Sequence, residues 1–328
     1  MQVKKILFIT LSNMGDVILT LPVLDSLRGN FPQSKITVMV GPRPKEIFQD
    51  NPKIDRLIIY DKYAKLRDKI RLFNELRKEG FDIVIDLRNT LYGALLPCRF
   101  RTSPFLFIPR KIRHIKERNL YRLEMVLKKK GFLEKAGESV FYTNPKDKVY
   151  IDSLLQKNGI AKEERIILVS SGTGGNTRRW EVNKFVQLCN KLSEDYRVIL
   201  IGSKVHQPIT QQIRQNCANS IIDFTGLTNL GQLAYLLTRS TLMITGDTGT
   251  LQLASYMDTA IVALFGPSDE KRYGPWSSKY RIVKKEIFCR PCKQVKCRFG
   301  TLECMRLIGV GDVLKAADSM INLVLNTS

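Results

Sequence analysis

Between residues 246 and 250 a carboxylate stands among hydroxyls and glycines: Gly246, Asp247, Thr248, Gly249 and Thr250 follow the apolar run 241–245. The run reads as a buried strand, and Leu251, Ala254 and Tyr256 mark a helix beyond the turn. Such a turn puts Asp247 and Thr248 at a strand's carboxyl end. It also aims the free N–H groups of a helix start at the same place, which suits a phosphate. A carboxylate there can hold sugar hydroxyls. The same residues permit a plainer reading in which Asp247 only caps the helix.

Four more places bear on chemistry. After the apolar run 165–170 comes Ser170-Ser171-Gly172-Thr173-Gly174-Gly175-Asn176-Thr177-Arg178-Arg179-Trp180, in which glycines allow close backbone approach, hydroxyls can donate to phosphate oxygens and guanidinium groups offer a charged fork. It has neither the dinucleotide fingerprint nor the Gly-Lys-Ser/Thr of a Walker loop, and a flexible connector is the alternative. Asp16 lies in the glycine turn after the first apolar run, where it could also serve only the helix dipole. Asp86 closes a third run and is read as a structural partner of Arg88 or of a backbone cap. Finally, Cys289, Cys292, Cys297 and Cys304 have a spacing that could close a tetrahedral structural zinc site, with reduced thiols as the alternative. Cys98, Cys189 and Cys217 read as core.

The elements that position these residues alternate. Strands are expected over 3–11, 35–40, 56–60 and 82–87, and helices over 17–27, 44–50, 66–79, 91–100 and 120–130, with Pro22 kinking the first helix or delaying its start. Residues 105–108 read as extended. A second set follows, with strands over 165–170, 197–201, 220–224, 241–245 and 260–265 and helices between them. This is the pattern of α/β domains with parallel sheets covered on both faces, whose ligands gather at strand carboxyl ends. The connection is placed near 143–163, giving domains 1–155 and 156–328 that face each other across a cleft. The C-terminal helix is allowed to pack back on the first domain.

Length fits two domains, and 53 Lys plus Arg against 31 Asp plus Glu leave a net charge of +22. That surplus attracts nucleic acid, an anionic membrane face or a phosphorylated glycolipid. Residues 99–135 hold twelve basic side chains, among them Arg110, Lys111, Arg113 and Lys116, against Glu117, Glu124 and Glu134, and residues 271–306 repeat the excess. Asn13 and Asp16 interrupt what would otherwise imitate a signal peptide, and no apolar run reaches membrane-spanning length. The expectation is a cytoplasmic protein whose membrane contact is peripheral.

Taken in order, Ser12-Asn13-Met14-Gly15-Asp16-Val17, Arg179-Trp180, Gly246-Asp247-Thr248-Gly249 and Leu264-Phe265-Gly266-Pro267-Ser268-Asp269 through Gly274-Pro275 resemble family 9 glycosyltransferases, the lipopolysaccharide heptosyltransferases and their relatives. The resemblance spans nearly the whole chain. It implies a GT-B architecture of two Rossmann-like domains, with acceptor bound by the first, nucleotide sugar by the second, and an inverting transfer that needs no metal or other cofactor. It makes Asp16 the general base, Asp247 the holder of donor-sugar hydroxyls, Thr248 and Gly249 the diphosphate contacts, and Ser170 and Ser171 the hydroxyl pair near phosphate. Arg178 stands where heptosyltransferases usually carry Lys and Gln252 where many carry His, and both are assigned with the others to donor binding. Family members often share a cysteine cluster near this point. His206 falls near the family's nucleotide contact but reads as an exposed loop residue.

The reading is therefore transfer of a sugar, heptose from ADP-heptose first, to a lipopolysaccharide-core or related glycolipid at the cytoplasmic face of the bacterial inner membrane. Arg110, Lys111, Arg113 and Lys116 are assigned to the anionic acceptor and membrane. The alternatives are the same fold acting with another nucleotide sugar on a different surface glycan, and a basic nucleic-acid-binding protein. The basic windows lack interleaved aromatics and match no usual nucleic-acid module, so no nucleic acid partner is expected. The absent dinucleotide fingerprint disfavours an oxidoreductase.

Overall fold

The computed structural model describes residues 3–10, 12–128, 137–172, 175–292 and 296–326. Thr173 and Gly174 of the glycine loop, Lys129, Lys130 and Lys135 of the first basic window and Lys293 of the second lie outside them. The chain forms two compact units, Met1–Tyr142 and Thr143–Ser328.

In the first unit the elements run β1 (Lys5–Ile9), α1 (Met14–Ile18), α2 (Leu21–Asn30), β2 (Lys35–Val40), β3 (Arg56–Ile59), α3 (Leu66–Glu79), β4 (Ile83–Asp86), α4 (Leu91–Leu95), β5 (Phe100–Arg101) and α5 (Ile115–Lys128). The strands pair in parallel in the order β3-β2-β1-β4-β5. Ile6, Leu7, Phe8 and Ile9 are all buried, although successive side chains point to opposite faces. Unbroken burial means that both faces are covered, as alternation of short apolar runs with helices requires. Pro22 sits in the first turn of α2, where a missing N–H leaves no bond unmade, so the single helix expected over 17–27 is two. The helix expected over 91–100 ends at Leu95 because Leu96 precedes Pro97 and takes extended angles. Residues 105–108 pair with no strand among the described residues; β5, beside them in sequence, is a two-residue edge.

The second unit runs α6 (Pro145–Lys157), β6 (Ile166–Ser170), α7 (Val182–Leu192), β7 (Arg197–Leu200), α8 (Gln207–Asn216), β8 (Ile222–Asp223), α9 (Leu230–Arg239), β9 (Leu242–Gly246), α10 (Gly249–Tyr256), β10 (Ile261–Phe265), α11 (Glu270–Tyr273), β11 (Tyr280–Lys284), α12 (Glu303–Arg306) and α13 (Val310–Leu325). Its parallel sheet has the order β11-β10-β9-β6-β7-β8. The unit begins at Thr143, ahead of the position 156 expected, and so includes α6. Asp152 of α6 accepts from the Tyr235 hydroxyl at 3.1 Å and pairs with Arg239 at 2.8 Å, both on α9. The C-terminal helix also belongs here: Val313, Ala317, Met320 and Ile321 of α13 lie in the core with Trp180, Ile244 and Val262. Its apolar face thus closes the second sheet. No helix among the described residues is long and apolar enough to cross a membrane.

Candidate functional site

Strand order reverses once in each sheet. From β6 the chain moves outward through β7 and β8, then returns to place β9 on the other side of β6. The loops after β6 and β9 therefore leave the sheet in opposite directions, which opens a crevice at their carboxyl ends. Arg178 from the first loop reaches Asp247 from the second: its Nη1 lies 3.2 Å from Oδ2, and Ser268, after β10, donates its hydroxyl to the same Oδ2 at 2.5 Å. Thr248 caps α10, its Oγ1 accepting from the Leu251 N–H at 3.3 Å, while the Asp247 carboxylate meets the loops through Arg178 and Ser268. The helix starting there has eight residues and presents its amino end beside that carboxylate.

Trp180 fixes the loop that carries Arg178. Its ring is buried edge-on against Phe185 at 4.9 Å, and its N–H donates to the Ile308 carbonyl at 2.9 Å. At the loop's other end Ser170 and Ser171 are both buried, and the Ser171 hydroxyl has no hydrogen-bond partner among the described residues. A buried hydroxyl left in that state is a ready donor to a ligand oxygen. A side chain at Gly172 would run into the His206 ring, so the loop passes directly beneath that imidazole. His206 is half-buried rather than the exposed residue expected, and its Nδ1 accepts from the Ser203 N–H at 3.3 Å. Burial, and then the Arg179 guanidinium, push the imidazole below its usual value. The Thr225 hydroxyl, after β8, is a second buried group without a partner among the described residues.

Gln252 is only 3 % exposed, and both ends of its amide are engaged. Nε2 donates to the Tyr273 carbonyl at 2.8 Å and Oε1 accepts from the Trp276 ring N–H at 3.0 Å. It pins the Gly274-Pro275-Trp276 turn to α10. The Gly266-Pro267-Ser268 turn is held from below by the buried Arg290, which donates to the Gly266 carbonyl and pairs with Glu270 at 3.2 Å. Burial pushes the Glu270 carboxyl up, but Lys284 and Arg290 more than offset this and hold it below the usual range. Asp312 is likewise held low by Lys285 and the Gly309 N–H. A depressed carboxyl contributes stability that is complete above its unfolded value and is lost as pH falls through the folded one. The melting temperature is therefore expected to drop below about pH 4. Glu270→Gln should flatten that slope in a series of melts; an unchanged slope would remove Glu270 from the account.

In the first unit the order reverses between β1 and β4. Asp16 sits there in the first turn of α1, half-exposed, with Oδ2 accepting from the Asn13 amide at 3.1 Å. Asp86, at the end of β4, is buried and builds the adjacent turn: Oδ1 accepts from the Arg88 N–H at 2.8 Å and Oδ2 from the Thr90 N–H at 2.6 Å. Arg122 of α5 donates to Asn89 at 3.0 Å, and burial, with Arg118 next, pushes its guanidinium value down. Sequence reasoning counted Arg118 and Arg122 as part of a charged window; only the docking of α5 through Asn119, which donates to the Leu19 carbonyl at 3.2 Å, assigns them to this end of the sheet. Of the four residues assigned to the acceptor, Arg110, Lys111 and Arg113 are exposed, whereas Lys116 is half-buried and pairs with Glu117 at 2.9 Å.

Cys289, Cys292, Cys297 and Cys304 all line one cavity of about 370 Å³, together with Thr177 and Pro267. The backbone N–H of Leu302, then those of Phe299, Gly300 and Thr301, hold the Cys297 thiol below its usual value, while burial pushes Cys304 up. Among the described residues no three His, Cys, Asp or Glu side chains are arranged to hold a metal ion.

Comparison with known proteins gives these arrangements a context. A family model described as Glycosyltransferase family 9 (heptosyltransferase) matches residues 69–303. The lipooligosaccharide heptosyltransferase 2 of Campylobacter jejuni is 22% identical over 319 residues, covering 94% of this chain and 95% of that one. The lipopolysaccharide heptosyltransferase 3 of Escherichia coli K12 is 25% identical over 295 residues, with 80% and 83% covered. Among solved structures, a glycosyl transferase family 9 protein from Veillonella parvula superposes with a TM-score of 0.81 at 24% identity, covering 98% of each chain. E. coli ADP-heptose lps heptosyltransferase II gives 0.74 at 19% identity, with 97% and 99% covered. At these identities the superpositions speak to the fold alone, which is the α/β GT-B class expected.

Proposed function

Because the chain belongs to glycosyltransferase family 9, we propose that this glycosyltransferase moves heptose, or a related sugar, from a nucleotide diphosphate to a hydroxyl of a phosphorylated lipopolysaccharide core. The observation that carries the reading is the node at the β6/β9 crevice. There Asp247 meets Arg178 and Ser268 beside the amino end of α10. The diphosphate lies against the Ser170 and Ser171 hydroxyls, Thr248, the Gly249 N–H and Arg178, and Asp247 takes sugar hydroxyls. Gln252 acts as a positioning residue through the turn it pins.

Transfer then needs one proton to move. Asp16 removes it from the acceptor hydroxyl as that oxygen bonds to the anomeric carbon; the carbon–oxygen bond to the diphosphate breaks, and its electron pair leaves with the nucleotide. Attack from the face opposite the leaving group inverts the anomeric centre. Positive charge at Arg178 and the helix dipole of α10 meet the charge that develops on the leaving diphosphate, without a metal ion in the scheme. The cysteine cluster has no step in it. Arg110, Lys111, Arg113 and Lys116 draw the first unit to the anionic glycolipid at the cytoplasmic face of the inner membrane.

A panel of ADP-, GDP-, UDP- and TDP-linked sugars tests this directly, scored by protection in thermal melts and then by transfer to truncated lipopolysaccharide. One nucleotide class should protect and transfer. Protection by none, together with a salt-dependent gel shift on duplex nucleic acid, would replace the reading with the polyanion-binding alternative. Arg178→Ala should weaken the protecting donor about 10–100-fold, the loss of a hydrogen bond to a charged group. Its side chain is 45% exposed, so the ligand-free melt should stay put. Equal donor affinity in the two proteins would take Arg178 out of the site.

A further inference from the structure

Beyond the transfer reaction, one surface of the first unit has the chemistry of a bilayer contact that charge alone does not describe. Phe105 is 94% exposed and Phe107 77%, on a loop that follows the edge strand β5. On α4, between β4 and β5, Leu91 and Leu95 are 75% and 62% exposed. They stand four residues apart and so share one helix face. Arg101 joins the two segments: its guanidinium donates to the carbonyls of Gly93 at 3.2 Å and Leu96 at 2.8 Å, and to that of Ala94. Phe105 is four residues further on, within about 14 Å of Arg101 at full extension. All four apolar side chains therefore belong to one sheet edge.

The loop is built to present them. The Ser103 hydroxyl accepts from the Phe105 N–H at 3.3 Å, the Ser103 carbonyl from the Leu106 N–H at 3.3 Å, and the Pro109 carbonyl from the Ile112 N–H at 3.0 Å. Pro104 and Pro109 fix their own backbone angles at either end. Leu106 and Ile108 point inward enough to be half-buried, so Phe105 and Phe107 alternate outward. Charge completes the pattern. Residues 87–116 contain seven Lys or Arg and no Asp or Glu. Arg110 and Lys111, directly after the aromatics, are exposed and unpaired among the described residues.

We propose that residues 103–112 and the outer face of α4 form a membrane-inserting surface, in which Phe105 and Phe107 enter the headgroup–acyl boundary of an anionic bilayer while Arg110 and Lys111 remain at lipid phosphates. The occupant is a lipid surface rather than a protein groove or nucleic acid. The aromatics project singly from turns, carboxylates are absent from the whole stretch, and exposed aromatic tips beside cations are what an interfacial anchor requires. Two signals act together. Cations give attraction that salt screens, and buried apolar area gives attraction that salt does not.

The test is co-sedimentation of the full chain with phosphatidylcholine vesicles, with and without phosphatidylglycerol, at low and high salt. Wild type should bind anionic vesicles and retain a salt-resistant fraction. Phe105→Ser with Phe107→Ser should cut that fraction about tenfold, while Arg110→Ala with Lys111→Ala should remove chiefly the salt-sensitive part. Phe107→Trp should show a blue shift and quenching by brominated lipid. Melts and nucleotide-sugar protection of the double serine variant should match wild type, since these side chains face solvent; the vesicle result thus stands or falls separately from the transfer reading. Unchanged salt-resistant binding by the serine variant overturns the inference, as does an emission spectrum of the Phe107→Trp protein that vesicles leave unshifted. Loss of a solution dimer in the serine variant, with vesicle binding intact, assigns the patch to self-association and overturns it too.

Discussion

Asp16→Asn is expected to fold, to keep its donor and to lose transfer, with kcat down about 10²–10⁴-fold, the range for removing a positioned general base. The substitution is nearly isosteric, and its amide oxygen can still accept from Asn13, which now donates to Asp16 Oδ2 at 3.1 Å. The charge lost from the first turn of α1 costs a few tenths of a kcal/mol at about the scale of a surface helix dipole. Donor affinity should not move, because the residues assigned to the donor all belong to the second unit. The comparison is single-turnover transfer against nucleotide-sugar protection on the same preparation. Turnover close to wild type would show that the acceptor loses its proton elsewhere.

For stability the largest loss is expected from Trp180→Ala. The indole is 2% exposed, lies in the second unit's core with Phe185, Val313 and Ala317, and satisfies the Ile308 carbonyl. Deleting a buried Trp side chain costs about 3–5 kcal/mol, which for a unit of this size lowers the melting temperature by about 10 °C. Trp180→Phe refills most of the space and leaves the carbonyl without its donor, so it should cost about 1–2 kcal/mol. Both changes should also weaken donor protection, since Trp180 anchors the loop that presents Arg178. A stable Ala variant with full protection would mean that the loop is held by other contacts.

How much of this could be read from the chain depends on what each residue answers to. The strands were legible because two-sided burial leaves an uninterrupted apolar run, as in Ile83, Val84 and Ile85. Asp16 and Asp247 were legible as strand-end carboxylates because glycines mark the turns. What was not legible depends on partners distant in sequence. Nothing in the neighbourhood of Gln252 signals that Tyr273 and Trp276 will engage its amide, and it read as a ligand group. Ser268 lay inside a quoted motif, yet its role follows only from the pairing of β9 with β10. The strand β11 is not legible because its burial is interrupted at an edge, and α6, whose partners on α9 lie about eighty residues away, carries no local sign of the unit it joins. Residues 105–108 have strand-like composition but no neighbour to pair with, so Phe105 and Phe107 face water instead.

The Arg178–Asp247 pair has a bearing on selectivity. The two groups already neutralise each other, so a newcomer must replace an internal partner at both before it gains anything. A ligand carrying phosphate at one end and vicinal hydroxyls at the other can do so in a single event. A bare nucleotide diphosphate engages the guanidinium but leaves the carboxylate unmatched, and a free sugar does the converse. On the proposed donor site, these two side chains discriminate intact donor from spent nucleotide, and product departs because it satisfies only half of what the substrate did.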